Sequence, residues 1–184
     1  NILEPLPQKN IDTGLGLERL AAVLQGVERN SDIDIFQPIL RRIEQEFADG
    51  RHITEMDNTS AQCVRRIADH VRSVAFCIAD GALPGNAERG YVVRRLIRRA
   101  FLDAAYLRGN YEYAGLSVIL EPVLQVMGGA YPDLVKRSEF IREILSGEER
   151  DFVRTLNSNR KRLNDTVEKA SAGEGVVDGS SAFK

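Results

Sequence analysis

The sequence predicts a nearly all-α protein, a helical bundle that ends in a long C-terminal helical arm. Apolar residues recur at helical spacing along most of the 184 residues. Clusters of glycine, proline and aspartate separate these periodic stretches, as turns between helices require. No sequence repeat with a period of about 20 to 50 residues is present, which excludes solenoid architectures.

Composition and charge are those of an ordinary soluble domain. The chain has a net charge of −2, with 43% hydrophobic and 28% charged residues, so it can bury a core without a metal or a disulfide. No apolar run approaches the roughly 20 residues that a membrane span requires, so no membrane partner is expected. The N-terminus lacks a methionine and a signal-peptide pattern, which indicates an internal piece of a longer, cytoplasmic protein.

The two cysteines are expected to be free. Cys63 and Cys77 lie 14 residues apart on one predicted helix. At 1.5 Å per residue this separates them by roughly 21 Å, far beyond the reach of a disulfide. They are interpreted as buried thiols in a reducing compartment.

The first two predicted helices follow a short extended segment. Residues 5–16 suit a strand and a tight turn that lead into a helix from about Leu17, which ends at Gly26. Ser31 or Asp32 is expected to cap the second helix, which ends at the next Asp-Gly pair.

Four further helices are predicted from apolar spacing. The first of them should lie at the centre of the core, and the last should be long and kinked at Ser146–Gly147. A glycine-rich linker follows it. The predicted ranges are residues 59–79, 87–107, 115–126 and 132–170.

The strongest chemical feature is a group of arginines on the helix predicted over residues 87–107. On a helical wheel the apolar side chains fall on one face and four arginines on the other. Residues 84–110 hold six arginines against two acidic residues, a net charge of +4 in a chain whose total is −2. The cationic face consists of Arg94, Arg95, Arg98 and Arg99, and Arg89 lies at the start of the helix.

A polyanion is the natural partner of this face. Phosphates release counterions when they are neutralised, and arginine can bind a phosphate through two hydrogen bonds, so a nucleic acid fits first. The alternative is a solvated helix face whose arginines pair with the acidic remainder of the chain. Tyr91 falls inside the cationic arc, where it has no core to pack against, and this favours a ligand.

Asn86 lies in the turn before the arginine helix. Its amide can both donate and accept hydrogen bonds, as reading the edge of a base requires. Asparagine after Pro84-Gly85 is also ordinary turn chemistry, so this residue alone does not decide between the two readings.

A second candidate site lies in the glycine-rich turn before the first helix. It combines a carboxylate, two glycines that let a ligand approach the backbone and an arginine in the first helical turn, which suits an anion or a nucleotide. The pattern lacks the third glycine of a dinucleotide site and the lysine of a P-loop, so a plain turn before a helix stays open. The residues are Asp12, Gly14, Gly16 and Arg19.

Taken together, these segments resemble a known family. The string from Asn10 to Leu20 is similar to the third signature motif of class II aminoacyl-tRNA synthetases, in the form that alanyl-tRNA synthetases use. Residues 66–72, 78–81 and 84–100 follow in the order of that family's helical tRNA-recognition domain. The resemblance covers nearly the whole chain, although Gly85 stands where the family usually has serine or aspartate.

The resemblance implies roles for the residues of the glycine-rich turn. Asp12 would bind the α-amino group of alanine, and Arg19 would contact ATP. Gly14 and Gly16 would line the pocket for the aminoacyl-adenylate. In the full-length enzyme ATP and Mg²⁺ would be the cofactors, and no residue of this chain is implied as a metal ligand.

The resemblance also implies a tRNA-binding surface. Asn86 would help recognise the G·U wobble pair at the third base pair of the acceptor stem, because the RNA minor groove is wide and accessible. The arginine helix would hold the adjacent phosphates. The tRNA-binding residues would be Asn86, Arg89, Tyr91, Arg94, Arg95, Arg98 and Arg99.

The implied parent protein is an enzyme that activates alanine with ATP and transfers it to tRNA(Ala). Its partners would be the acceptor stem of that tRNA, alanine and ATP, and not DNA. Residues 1–28 would end the class II α/β catalytic domain, residues 29–172 would form the tRNA-recognition domain, and residues 173–184 would be a linker. Because the family's first and second motifs are absent, this chain alone is expected to be inactive, with no cofactor bound.

A different function stays open beside this one. A helical protein-interaction module could present the arginine-rich face to an acidic protein, and the number of ion pairs within that face distinguishes the two. His70 is expected to make a structural hydrogen bond, and no metal site is predicted around His52 or His70. Glu148 and Glu149 are expected on a solvated face of the last helix.

Overall fold

A computed structural model describes residues 7, 8, 10, 13–172 and 179 of the chain. All regular structure in this part of the chain is helical, which confirms the prediction of helices. The strand predicted within residues 5–16 falls largely outside the described residues. Two compact units divide the chain, Asn1–Gln37 and Pro38–Lys184.

In the first unit, the α-helix α1 spans Leu17–Gln25. The helix ends as predicted at Gly26, which adopts a left-handed conformation. Gln25 holds the following turns, because its Nε2 donates to Asp34 Oδ1 at 2.8 Å and its Oε1 accepts from the Asp34 amide at 3.0 Å. The apolar face of α1 is uncovered, and its most exposed leucine, Leu24, is 77% exposed.

Between residues 37 and 172, which the structure describes throughout, six more α-helices follow, and their ranges are close to the predicted ones except at some ends. They are α2 at Gln37–Phe47, α3 at Asn58–Ala79, α4 at Glu88–Arg108, α5 at Leu120–Met127, α6 at Pro132–Lys136 and α7 at Ser138–Ala172.

Helix α3 is the central helix of the second unit, as expected. Asp57 caps its N-terminus, where Oδ1 accepts hydrogen bonds from the amides of Thr59 at 2.8 Å and Ser60 at 3.1 Å. The helix packs most extensively on α4 and also contacts α5, α6 and α7. Its buried apolar residues are Ala61, Cys63, Val64, Ile67, Ala68, Val71, Val74, Ala75 and Ile78.

The starts of two helices differ from the prediction, and proline explains both. Ser31 and Asp32 lie in a 3₁₀ turn and do not cap α2, which begins only at Gln37 beside Pro38. The segment before α5 is a 3₁₀ turn at Leu116–Ile119, and Pro122 lies in the first turn of α5. Proline lacks an amide hydrogen and is accommodated in the first turn of a helix, so it fixes where each α-helix starts.

The last predicted helix is two helices. The interruption lies at Arg137, between α6 and α7. Helix α7 is continuous at Ser146–Gly147, where the kink was predicted. Arg137 accounts for the early break, because its Nη1 donates to the Ala79 carbonyl at 2.6 Å at the end of α3. Along α7 the apolar series is buried at Ile141, Leu145 and Phe152 and then becomes exposed.

Both cysteines are free, as predicted, but only Cys63 is buried, while Cys77 is half-buried. Within the described residues, no helix has the length and apolar character that a membrane span demands.

Candidate functional site

The turn between α3 and α4 is closed by a direct contact between two glycines. The Gly85 amide donates to the Gly90 carbonyl at 2.9 Å. A Cβ atom at Gly90 would lie 2.7 Å from the Leu83 carbonyl oxygen and 3.0 Å from the Gly85 nitrogen, so only glycine fits. This contact fixes the turn that carries Asn86, which is exposed.

Helix α4 has three kinds of surface. Its core side is formed by Val93, Ile97, Ala100, Phe101 and Ala104, which are buried against the rest of the second unit. A second side faces α7, and a third is open to solvent. The arginines predicted to form one cationic face are divided between these last two sides.

Arg94 and Arg98 pair with one buried carboxylate on α7. Glu148 is only 5% exposed, and its Oε1 lies 3.0 Å from Arg94 Nε and 2.9 Å from Arg98 Nη2. Arg94 also donates from Nη1 to Asn86 Oδ1. The Arg98 guanidinium lies 4.9 Å from the centre of the Phe152 ring, a cation–π contact.

The remaining arginines of this surface have no internal partner. Arg89, Arg95 and Arg99 are exposed, and within the described part of the chain their side chains make no hydrogen bond and have no carboxylate within 4 Å. Tyr91 lies on the same open side and is 51% exposed. We call Asn86, Arg89, Tyr91, Arg95 and Arg99 the open α4 surface.

The burial of Glu148 and Glu149 was not predicted from the sequence. Both were expected on a solvated face, and both are buried. Glu149 accepts hydrogen bonds from the amides of Ala114, Gly115 and Leu116 at 2.6 to 3.0 Å. The signal was available, because both residues fall between the apolar positions Leu145 and Phe152 of α7, where an acidic residue must be paired.

Two basic side chains of α3 are also paired. Arg66 Nε donates to Asp103 Oδ2 of α4 at 2.7 Å, and Arg72 Nη2 donates to Asp69 Oδ1 at 3.2 Å. These two arginines therefore pair within the second unit. Asp103 and burial together raise the pKa of the neighbouring Cys63 thiol to about 11, with burial the larger cause.

The hydrogen bond expected for His70 is absent from the described structure. Its Nδ1 lies 3.6 Å from Asp69 Oδ2, and both ring nitrogens are buried without a hydrogen-bond partner there. In the described residues no three His, Cys, Asp or Glu side chains come together as metal ligands would.

The glycine-rich turn lies in the first unit and is described from Thr13 onwards, so Asp12 lies outside the described residues. Gly14 is open on all sides, and Gly16 has a φ of 79°, which favours glycine. Arg19 is exposed, and its side chain lies across Gly16, with Cδ 3.6 Å from the position of a Cβ there. An exposed cation over a glycine backbone suits a phosphate group.

Known proteins similar to this chain are alanine–tRNA ligases. The chain is 42% identical to an alanine–tRNA ligase of Thermotoga maritima over 182 residues, which is 99% of this chain and 20% of the relative. It is 43% identical to an alanine–tRNA ligase of Lactiplantibacillus plantarum and 42% identical to one of Chloroflexus aurantiacus, over 98% of this chain and 20% of each relative. The chain thus spans about a fifth of the length of these curated relatives.

A family model adds a match along the whole chain. The model described as tRNA synthetases class II (A) matches residues 1–184. The match covers both units, and with them the glycine-rich turn and the open α4 surface. This chain therefore belongs to the class II (A) family of tRNA synthetases.

Proposed function

We propose that this chain is part of an alanine–tRNA ligase and that its second unit binds the acceptor stem of tRNA(Ala). The parent enzyme activates alanine with ATP and Mg²⁺ and transfers it to the tRNA, in the cytoplasm. The relatives carry that name, and the chain corresponds to a fifth of their length. In this proposal residues 1–28 end the catalytic domain, residues 29–172 form the tRNA-recognition domain with α7 as its long arm, and residues 173–184 are a linker.

The alanine and ATP pocket is assigned to the glycine-rich turn. Gly14 and Gly16 leave room beside the backbone, and Arg19 has the exposure and charge to contact the phosphates of ATP. Asp12 would bind the ammonium group of alanine. The exposed leucines of α1 support the assignment, because an uncovered apolar helix face fits a helix that completes a larger domain. Magnesium would be held by the phosphates of ATP.

One observation carries the tRNA-binding proposal, namely the three exposed arginines of the open α4 surface that have no internal partner. An arginine without a carboxylate partner has an uncompensated charge, and all its donors are available to a phosphate. Arg95 and Arg99 are four residues apart on α4, so both point to the same side, roughly 6 Å apart along the axis. Arg94 and Arg98 lie next to them, and we propose that they contact the same backbone with their remaining donors.

Asn86 lies at the end of this arginine row and is proposed to help recognise the G·U wobble pair. RNA is favoured over DNA because the shallow minor groove of an RNA helix exposes base edges and 2′-hydroxyls to a side chain of this length. The base contact gives specificity and the arginines give affinity.

Binding to an RNA duplex with the sequence of the acceptor stem, measured as a function of salt, tests the proposal. Changing Arg95 or Arg99 to Gln should weaken binding roughly three- to tenfold and lower the salt slope by about 0.7 to 0.9 per arginine. Arg41→Gln is the matched control, because Arg41 is an exposed arginine on a different helix, α2, and the substitution removes the same charge. Equal losses in the control would contradict a localised surface.

Asn86→Ala should act differently. It should reduce the preference for a G·U over a G·C third pair and leave the salt slope unchanged, because asparagine carries no charge. A change in slope without a change in preference would contradict the assigned role.

The alternative function is a protein-interaction module, and the observation that weakens the case for a nucleic acid is the pairing of Arg94 and Arg98 with Glu148. Two of the four arginines of the predicted cationic face thus have a carboxylate partner within the chain. The RNA titration separates the two functions, since an acidic-protein module would bind the duplex weakly and with no effect of the third pair.

A further inference from the structure

A chain of contacts links a buried residue of α7 to the exposed Asn86. Glu148 receives both Arg94 and Arg98, with 3.1 Å between Arg94 Nε and Glu148 Oε2 and 3.0 Å between Arg98 Nε and Glu148 Oε1. Arg94 then donates from Nη1 to Asn86 Oδ1. Two elements that are about 50 residues apart in sequence therefore meet at one asparagine side chain.

We propose that Glu148 is a positioning residue for Asn86 and acts through Arg94. This inference rests on the proposed role of Asn86 in RNA recognition, and it adds a residue that touches no RNA. A guanidinium has donors in a fixed planar fork, so fixing Nε on Glu148 also fixes the direction of Nη1. The carboxylate thereby orients the far side of the same guanidinium towards the asparagine.

The burial of Glu148 makes the linkage rigid. A carboxylate that is 5% exposed has lost most of its water and must keep its arginine partners. Arg98 adds to this, because it is held between Glu148 and the Phe152 ring and keeps the carboxylate in place. Arg94 has 24% of its side chain exposed and is the residue that joins the buried carboxylate to Asn86.

The side-chain amide of Asn86 can still form hydrogen bonds with a base while Arg94 is bound to it. Arg94 uses one lone pair of Asn86 Oδ1, which leaves a second lone pair and both hydrogens of Nδ2. The backbone on the other side is fixed by the Gly85–Gly90 contact. Asn86 is therefore fixed through both its backbone and its side chain, which reduces the entropy lost on binding a base.

The side-chain amide of Asn86 gives a direct test that needs no RNA. In ¹⁵N-labelled protein its order parameter should fall from above about 0.8 to below about 0.6 when Glu148 is changed to Gln. Arg94→Lys provides a second variant, because lysine keeps the charge beside Glu148 but lacks the fork that reaches Asn86. It should free the amide in the same way with less risk to folding.

Glu149→Gln is the matched control. Glu149 is the adjacent residue and is also buried, but its partners are the amides of residues 114–116 and not arginines. It should lower stability and leave the Asn86 order parameter unchanged. If the amide stays ordered in Glu148→Gln and in Arg94→Lys, or becomes mobile equally in the control, the proposal is overturned.

The same variants with G·U and G·C duplexes separate this proposal from the proposed function. A mobile amide with a several-fold loss of G·U preference supports both. A mobile amide with unchanged preference supports the positioning by Glu148 and refutes the role of Asn86 in recognition.

Discussion

Neighbouring residues of the same type have different roles in this chain. Glu148 and Glu149 are both buried, yet the first binds two arginines of α4 and the second binds three backbone amides of the segment before α5. Arg94 and Arg95 differ in the same way, since only Arg94 reaches Glu148. The role of each residue depends on its direction on the helix and not on its type.

The stability contribution of Glu149 should depend on pH. Burial raises the pKa of this carboxyl above 4.5, against the effect of its three amide donors. Between that value and the raised pKa the folded state binds more protons than the unfolded state, so stability should fall as pH rises through this window. Urea unfolding of the wild type and Glu149→Gln from about pH 4 to pH 7 measures the difference. A wild-type contribution that rises with pH would contradict the sign.

Cys63 should react slowly with alkylating reagents. It is buried and the pKa of its thiol is raised to about 11, so almost no thiolate is present near neutral pH. Mass spectrometry after iodoacetamide treatment of the folded protein should show Cys77 modified first. Asp103→Asn should accelerate the reaction of Cys63, because it removes the carboxylate that contributes to the shift. Equal rates for the two cysteines in the wild type would contradict the prediction.

The arginines of α4 could be identified from the sequence, but the ion pairs that they form could not be predicted from it. The helical wheel placed four arginines in one arc, namely Arg94, Arg95, Arg98 and Arg99. It gives only the angle of each side chain about the axis of its own helix. Which of them meets a carboxylate depends on how α7 packs on α4, and Glu148 lies 50 residues beyond Arg98. The same limit applies to His70, whose expected hydrogen bond depended on neighbours outside its own helix.

The helices themselves could largely be predicted, because their signals are local. Gly26 after α1 and the apolar spacing of α3 and α4 lie within the segments that they define. The wrong starts of α2 and α5 also have local causes, since Pro38 and Pro122 mark the first turns. The break at Arg137 is different, because it follows from a contact with the end of α3.

Gly147 offers a test of α7 as one continuous helix. A Cβ atom there meets nothing within 4 Å, and the residue lies inside the helix. Gly147→Ala should stabilise the protein by about 0.5 to 1 kcal/mol, because alanine loses less backbone entropy in a helix. Urea unfolding measures the change, and a clear destabilisation would indicate a break at this position.

Gly90→Ala should have the opposite effect. Its Cβ would meet backbone atoms of Leu83 and Gly85 that cannot move aside as a flexible side chain could. We expect a loss of about 1 to 3 kcal/mol and a displaced Asn86 turn. Unfolding and the amide signal of Asn86 report the two effects, and a stability equal to that of the wild type would contradict the close contact.

At the scale of the whole molecule, the charge is segregated. The chain is slightly acidic, yet the helix with the highest density of arginine carries an exposed row that no described acidic residue neutralises. Asp103 on α4 and Glu148 on α7 are buried, and they bind Arg66, Arg94 and Arg98. A field from this row would attract a polyanion to one side of the second unit.

A shortened chain tests the predicted domain boundary. The open α4 surface, Glu148 and the core of α3 and α4 all lie within residues 29–172. A protein with these residues alone should keep its helical circular dichroism and the salt slope of the RNA titration within error. Loss of binding with retained helicity would show that residues 1–28 or 173–184 contribute to RNA binding, and a protein with residues 29–184 distinguishes the two.

Helix α4 has a core side, a paired side and an open side, and this division restricts which substitutions, insertions and deletions the helix can accept. Substitutions on the open side alter only what contacts the surface. An insertion or deletion of one residue between Gly90 and Arg94 would rotate everything after it by about 100° relative to the Asn86 turn. Arg94 would leave Glu148, and another side chain would meet the buried carboxylate. The length of this helical turn is therefore under stricter control than its composition, and variation in chain length should occur in the loops on either side.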